Sequence, residues 1–197
     1  MQNKTTSGFT IIELMLTITI AAVLVTIATP SFRTLIENNR ITKVSNEYAT
    51  AFRLARSNAL SKRLATFVCP SDNAGEDTPT CGADWTNGLI VYFKPPNTAV
   101  ANAGTFSSTE DTLILQSSFG ENTADSISVA INGDPGGFLG FSPEGFTWQA
   151  AAGGNATPTF VICSAERGAE SGRAFSFSIT GRIFIQDTND ADAPACA

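Results

Sequence analysis

The chain has 197 residues, of which 18 are acidic and 12 basic, giving a net charge of −6 and a charged fraction of only 15%. An acidic balance argues against a protein whose whole surface attracts nucleic acid. There is no histidine, which removes Ser-His-Asp and Cys-His nucleophiles, histidine-held zinc and imidazole acid–base chemistry together. The expectation is a non-enzymatic protein without a cofactor or a metal.

The charge is unevenly placed. Residues 31–66 hold seven basic and two acidic residues, a balance of +5, whereas residues 67–197 hold four basic and fifteen acidic, a balance of −11. A basic segment leads into an acidic body, and each requires its own account.

In chain order, the first element is the apolar run Phe9–Thr29, 21 residues with one charge, Glu13. As a helix it would be about 31 Å long, close to the hydrocarbon thickness of a bilayer. A secretory signal would have a shorter apolar core followed by a small-x-small cleavage site. Lys4 on the short polar flank favours leaving that end in the cytoplasm, with the body translocated. The run therefore reads as a membrane anchor. A carboxylate within it is costly unless paired. Cleavage after Gly8 would make Phe9 a new amino terminus one helical turn from Glu13, able to offer it a positive amine. The alternative is an acid at the helix end that snorkels towards the headgroups.

Pro30 removes a backbone donor and clashes with the carbonyl four residues back, so a kink or local melting is expected near Thr26. Residues 30–66 then read as an amphipathic stem helix. Phe32, Leu35 and Ile36 begin one apolar face, and Ile41, Val44, Tyr48, Phe52 and Ala55 extend another at three- and four-residue steps. Its basic cluster, Arg53, Arg56, Lys62 and Arg63, is expected on a solvated face or paired with the acidic body. The aromatic stacking partners of single-strand binders are absent from it.

From Phe67 the texture changes to short β-rich stretches: Phe67-Val68, Leu89–Phe93, Leu113–Leu115, Ile127–Ile131, Phe138–Phe141, Phe160–Ile162, Phe175–Ile179 and Ile183–Ile185. Turn clusters such as the Gly133–Gly137 segment separate them. Phe175, Phe177 and Ile179 alternate with small residues, the period of a half-buried strand, and Thr180-Gly181 turns into RIFIQ as a carboxy-terminal hairpin. A long helix followed by an antiparallel sheet is an α+β architecture, with residues 67–197 as the head.

The four cysteines, Cys69, Cys81, Cys163 and Cys196, all follow the apolar run, and an even count in an exported head favours disulfides. Of the three pairings, Cys69–Cys81 and Cys163–Cys196 are expected. The first closes a polar, glycine-containing loop, and the second pins the acidic tail to the strand carrying Cys163. A four-cysteine metal site lacks any C-x-x-C pair. Asp187, Asn189, Asp190 and Asp192 lack the glycine and closing glutamate of a calcium loop, and Phe141–Gly145 lacks the pattern of a nucleophile elbow.

Gly8-Phe9-Thr10-Ile11-Ile12-Glu13, with Pro30 beyond the apolar run, resembles the amino-terminal signal of type IV pilins and pseudopilins. The resemblance implies a leader of residues 1–8, cleavage after Gly8 by a prepilin peptidase that also N-methylates Phe9, a filament-core helix over 9–29, and a role for Glu13 in subunit registration. It also implies a type IV pilin fold, with the long helix packed on the antiparallel sheet. The stretches Leu54–Arg63, Trp85–Phe93, Phe141–Trp148, Phe160–Ser164 and Ser178–Ile185 are similar, in order, to the blocks of the GspH/FimT domain. This implies a minor pilin that helps initiate a type IV pilus and sits at or near its tip, partnered by other minor pilins and the major pilin. It would be held in the inner membrane with its head in the periplasm before reaching the extracellular pilus. Two alternatives share the resemblance: a minor pseudopilin of type II secretion and a FimT-like DNA receptor. The receptor pattern Gly-Arg-x-Arg meets Gly181-Arg182-Ile183-Phe184 here, so only Arg182 is placed to contact phosphate. The tail, pinned through Cys196, is expected beside that turn, leaving its surface negative. This argues against nucleic acid as a partner.

Overall fold

The structure, a computed structural model, describes residues 8–95, 104–120, 127–132, 137–148, 158–165, 168–190 and 196. Lys4, most of the expected Gly133–Gly137 turn and Asp192 lie outside these residues. One helix, α1 (Ile11–Lys62), precedes nine strands: β1 (Thr66–Pro70), β2 (Gly88–Phe93), β3 (Thr112–Ser118), β4 (Ile127–Asn132), β5 (Leu139–Phe141), β6 (Thr147–Trp148), β7 (Thr159–Ser164), β8 (Gly168–Phe177) and β9 (Ile183–Asp187). Compactness divides the chain into residues 1–38 and 39–197.

In the first unit, α1 begins one residue after Thr10, whose hydroxyl accepts the Glu13 N–H at 3.3 Å. Thr-Ile-Ile-Glu is the spacing at which a threonine caps a helix and a glutamate occupies its third position. The expected melting near Thr26 does not occur: α1 is one unbroken element through Pro30. A proline removes a single N–H, and the flanking turns keep theirs.

The second unit is the head. The last turns of α1 enter it with Val44, Tyr48, Ala51, Phe52, Ala55 and Ala59, each fully buried. These positions form one stripe at helical spacing. The stripe packs on a five-stranded sheet of order β3-β2-β1-β5-β6 and on a four-stranded sheet of order β4-β7-β8-β9, all described pairs being antiparallel. Both sheets contribute to a single core around the helix: Val68, Leu89, Val91 and Phe141 from the first, and Phe160, Ile162, Phe175 and Phe177 from the second. Phe52 lies at its centre, with ring centroids 5.2 Å from Phe160 and 4.9 Å from Phe177.

The sheets are also covered on the faces turned away from the helix. Phe67, Cys69, Ile90, Tyr92 and Phe138 form a second apolar layer, and Val161, Cys163 and Ala174 a third. This explains why β1 is buried at every position, where a one-sided sheet would alternate. Two expectations are corrected. Ile179 lies beyond the end of β8 and is half exposed, because the chain turns at Ser178, whose N–H bonds the Arg182 carbonyl at 2.9 Å. Phe32, Leu35 and Ile36 are exposed; they precede the compact head, which buries the stripe only from Ile41 onward.

Candidate functional site

The expected site residues fall in two places. In the first unit, Gly8 and Phe9 precede the helix and are exposed, and Glu13 lies in its first turn. A carboxylate at that position faces the positive end of the helix dipole. The sequence reading missed Thr10, although Thr-x-x-Glu before an apolar run is the signature that could have found it. All the large apolar side chains from Phe9 to Ile27 are between 53% and 80% exposed. An apolar surface that continuous requires lipid or other chains to cover it. Three of its hydroxyls are already satisfied within the helix. The Thr17, Thr19 and Thr26 hydroxyls donate to the carbonyls of Leu14, Leu16 and Val23 at 2.8, 2.8 and 2.7 Å, so burial in an apolar phase would leave none of these three orphaned. By length and composition this is a helix able to cross a membrane.

In the head, each disulfide lies on the sheet face opposite α1. Cys69–Cys81 ties β1 to the loop that follows it, with a Cα separation of 5.6 Å. Cys163–Cys196 ties β7 to the carboxy terminus, with a Cα separation of 6.0 Å. Cys81 packs in the second apolar layer and Cys196 in the third. No cluster of three metal-ligating side chains occurs among the described residues.

Arg182 lies in the β8–β9 turn, and its surroundings differ from the expected ones. With Gly181 and Ile183 it lines a groove of about 410 Å³ whose other wall is Arg53, Arg56, Ser57 and Leu60 of α1. Arg56 stands at the edge of the solvated face and has no ion pair among the described residues. It is half-buried, and its guanidinium donates to the carbonyls of Thr180 at 3.0 Å and Gly145 at 3.4 Å. These bonds fix the turn on the helix without neutralising the charge. Gly181 is required here twice over. Its φ is +76°, and a Cβ would come within 2.1 Å of the Gly145 carbonyl and 2.7 Å of Arg56 Nε. Phe184 places its ring 5.7 Å from the Arg182 guanidinium carbon.

The acidic tail is anchored elsewhere. Cys196 Sγ lies against Gly172, and Gly172 accepts the Thr188 N–H at 3.1 Å, at the far end of the hairpin from Arg182. Six residues of strand separate Arg182 from Thr188, about 20 Å, more than twice the roughly 8 Å Debye length at physiological salt. Asp187 pairs with Arg173 at 3.3 Å. Cys196 is therefore not beside the turn, because an extended hairpin carries its two ends apart.

The N-terminal segment matches the prokaryotic N-terminal methylation motif over residues 3–29, and residues 44–181 match the family described as Type II transport protein GspH. The chain belongs to the GspH family. Two solved structures share its fold. The type IV minor pilin FimU of Pseudomonas aeruginosa PAO1 is 22% identical, with 83% of this chain and 99% of that one covered at a TM-score of 0.53. The minor pseudopilin EpsH of the Vibrio cholerae type 2 secretion system is 10% identical, with 77% and 99% covered at 0.50. No curated protein matches the chain. The GspH-family head and the methylation motif together make this a subunit of the minor pilin or pseudopilin type, and the long helix on antiparallel sheets is the expected pilin fold.

Proposed function

We propose that this chain is a non-enzymatic minor pilin, cleaved after Gly8 by a prepilin peptidase and N-methylated at Phe9. The inner membrane holds it through residues 9–29 with its head in the periplasm, until it joins other minor pilins and the major pilin in starting a type IV pilus. It remains at or near the tip of the extracellular filament. The observation that carries this reading is the exposed apolar helix, capped at Thr10 with three of its hydroxyls internally satisfied. Such a surface is stable in lipid and equally stable against the same surfaces of other subunits, so it can exchange one apolar environment for the other. In this mechanism Glu13 answers the new terminal amine during docking, and the leader keeps that amine unavailable until cleavage.

Mass spectrometry of membranes and pili is expected to find a chain beginning at methylated Phe9; an intact Met1 terminus would refute the reading. Glu13→Ala should be cleaved and inserted yet fail to support normal piliation. Wild-type pilus numbers with that variant would assign the carboxylate to snorkelling alone. The GspH family match supports a second reading, a minor pseudopilin of type II secretion. Deletion of the chain separates the two: lost pili with intact protein secretion support the first, and the converse the second. Nucleic acid is not the proposed partner, since uncharged Phe184 stands where the receptor pattern has its second arginine.

A further inference from the structure

The head carries two opposite charge clusters that no ion pair among the described residues neutralises. One is the groove of Arg53, Arg56 and Arg182, none of which has an ion pair among the described residues. The other is the segment from Ser71 to Asn87, which contains Asp72, Glu76, Asp77 and Asp84 and no basic residue. All four of these carboxylates are exposed, and none is ion-paired among the described residues.

Both clusters sit on fixed backbone. Arg56 holds the β8–β9 turn to α1 by its two carbonyl bonds. The acidic segment is tied by Cys69–Cys81 and organised around Asn73, which accepts the Thr80 N–H at 2.8 Å and donates to Glu76 at 3.3 Å. Asp72 in turn accepts from Asn87 at 2.8 Å. Preformed charges lose little conformational freedom on meeting a partner.

The clusters also occupy different levels of the helix. Tyr48 donates to the Trp85 carbonyl, which sets the acidic segment beside that turn of α1. The groove is centred on Arg56, two turns and about 12 Å further along the axis. Copies anchored by the same amino-terminal helix share one polarity. A symmetric side-by-side pair with parallel helices would therefore bring like levels together, and like charges with them. Opposite levels meet only when one copy is shifted along the axis, a heterologous contact that leaves both outer clusters free for further subunits.

We infer that the arginine groove receives the Asp72–Asp84 segment of a second, axially shifted copy of this chain. The inference rests on the pilin reading for the shared polarity of the copies. The contact sets register and stagger between heads by charge complementarity.

The test uses the full-length chain in its membrane, co-expressed in two differently tagged forms. A photo-crosslinking residue replaces exposed Ser57 in one form. The expected product is a copy-to-copy adduct on the 71–87 segment of the other. Arg53→Glu with Arg182→Glu in the first form should lower its yield at least five-fold, leaving Arg56 and the turn intact. Glu76→Lys with Asp77→Lys in the second form should restore it, which a folding defect could not explain. No copy-to-copy adduct, adducts only to another protein or to nucleic acid, or a yield indifferent to both charge reversals would overturn the proposal. Cleavage at Gly8 is followed in the same cells: loss of cleavage counts against the pilin reading, while failed crosslinking of a cleaved chain counts against this contact alone.

Discussion

The two ends of α1 are built from similar residues and meet opposite fates. From Phe9 to Ile27 the large apolar side chains are more than half exposed, whereas Val44, Tyr48, Phe52 and Ala55 are entirely buried by the chain's own sheets. The difference lies in the charges between the apolar positions. The first stretch is apolar all round except at Glu13, so no face of it can turn to water. The second carries Arg40, Lys43, Glu47, Arg53 and Arg56 on other faces, which lets it lie half in a core and half in solvent. One end is finished by folding and the other only by lipid or assembly.

The sharpest test of this contrast is a matched pair of truncations in the full-length chain held in detergent. Phe52→Ala empties the centre of the core and is expected to cost the head about 3–5 kcal/mol, read as a fall in its denaturation midpoint. Leu16→Ala should leave that midpoint unmoved. Comparable losses from both would show that the apolar half also folds into the head.

The disulfides come next. In the chain-entropy picture, Cys69–Cys81 closes a separation of 12 residues and contributes about 3 kcal/mol, while Cys163–Cys196 closes 33 and contributes about 4. Paired serine substitutions, compared by urea denaturation, should rank in that order. The reverse ranking would mean that the loop at Cys69 carries more of the fold than its length implies.

A smaller effect follows from the buried phenols. Burial raises the Tyr48 pKa, with Asp84 adding to it, and burial with Asp111 raises that of Tyr92. The unfolded chain therefore loses these protons first. Stability should be fully present below pH 9 and should fall as pH rises past about 10, by about 1.4 kcal/mol per pH unit for each tyrosine. Urea midpoints measured from pH 8 to 11 would show the slope, and Tyr48→Phe should remove part of it. A flat profile would mean that neither phenol is held protonated by the fold.

The smallest effect is at the other end of α1. Thr10→Ala removes the cap, costing the first turn about 1 kcal/mol. It should appear as faster hydrogen exchange at residues 12–14, with the head unchanged. Unchanged exchange there would assign the start of the helix to its surroundings instead of its cap.

The amino-acid sequence determined what each segment is. One charge in 21 residues made Phe9–Thr29 an apolar helix, the Gly8-Phe9-Glu13 spacing marked its start, and the three- and four-residue steps through Val44, Tyr48 and Phe52 marked the buried stripe. These are local properties, set by periods of 3.6 and 2 that the order of residues carries by itself. What tertiary structure decided is which distant residues meet. Nothing in the chain order says that Arg53 and Arg56 face Arg182 across a groove, since the contact between Arg56 and Thr180 spans 124 residues. Nor does it say that Cys196 settles at the opposite end of the hairpin from that turn. The order of residues in a strand cannot announce that both its faces are covered, as those of β1 and β7 are, because a second apolar layer depends on where loops and disulfides return. Charge is equally silent: the acidic excess is a sum over residues 67–197, but the field at Arg182 depends on distances of a few ångströms, and only the fold supplies those.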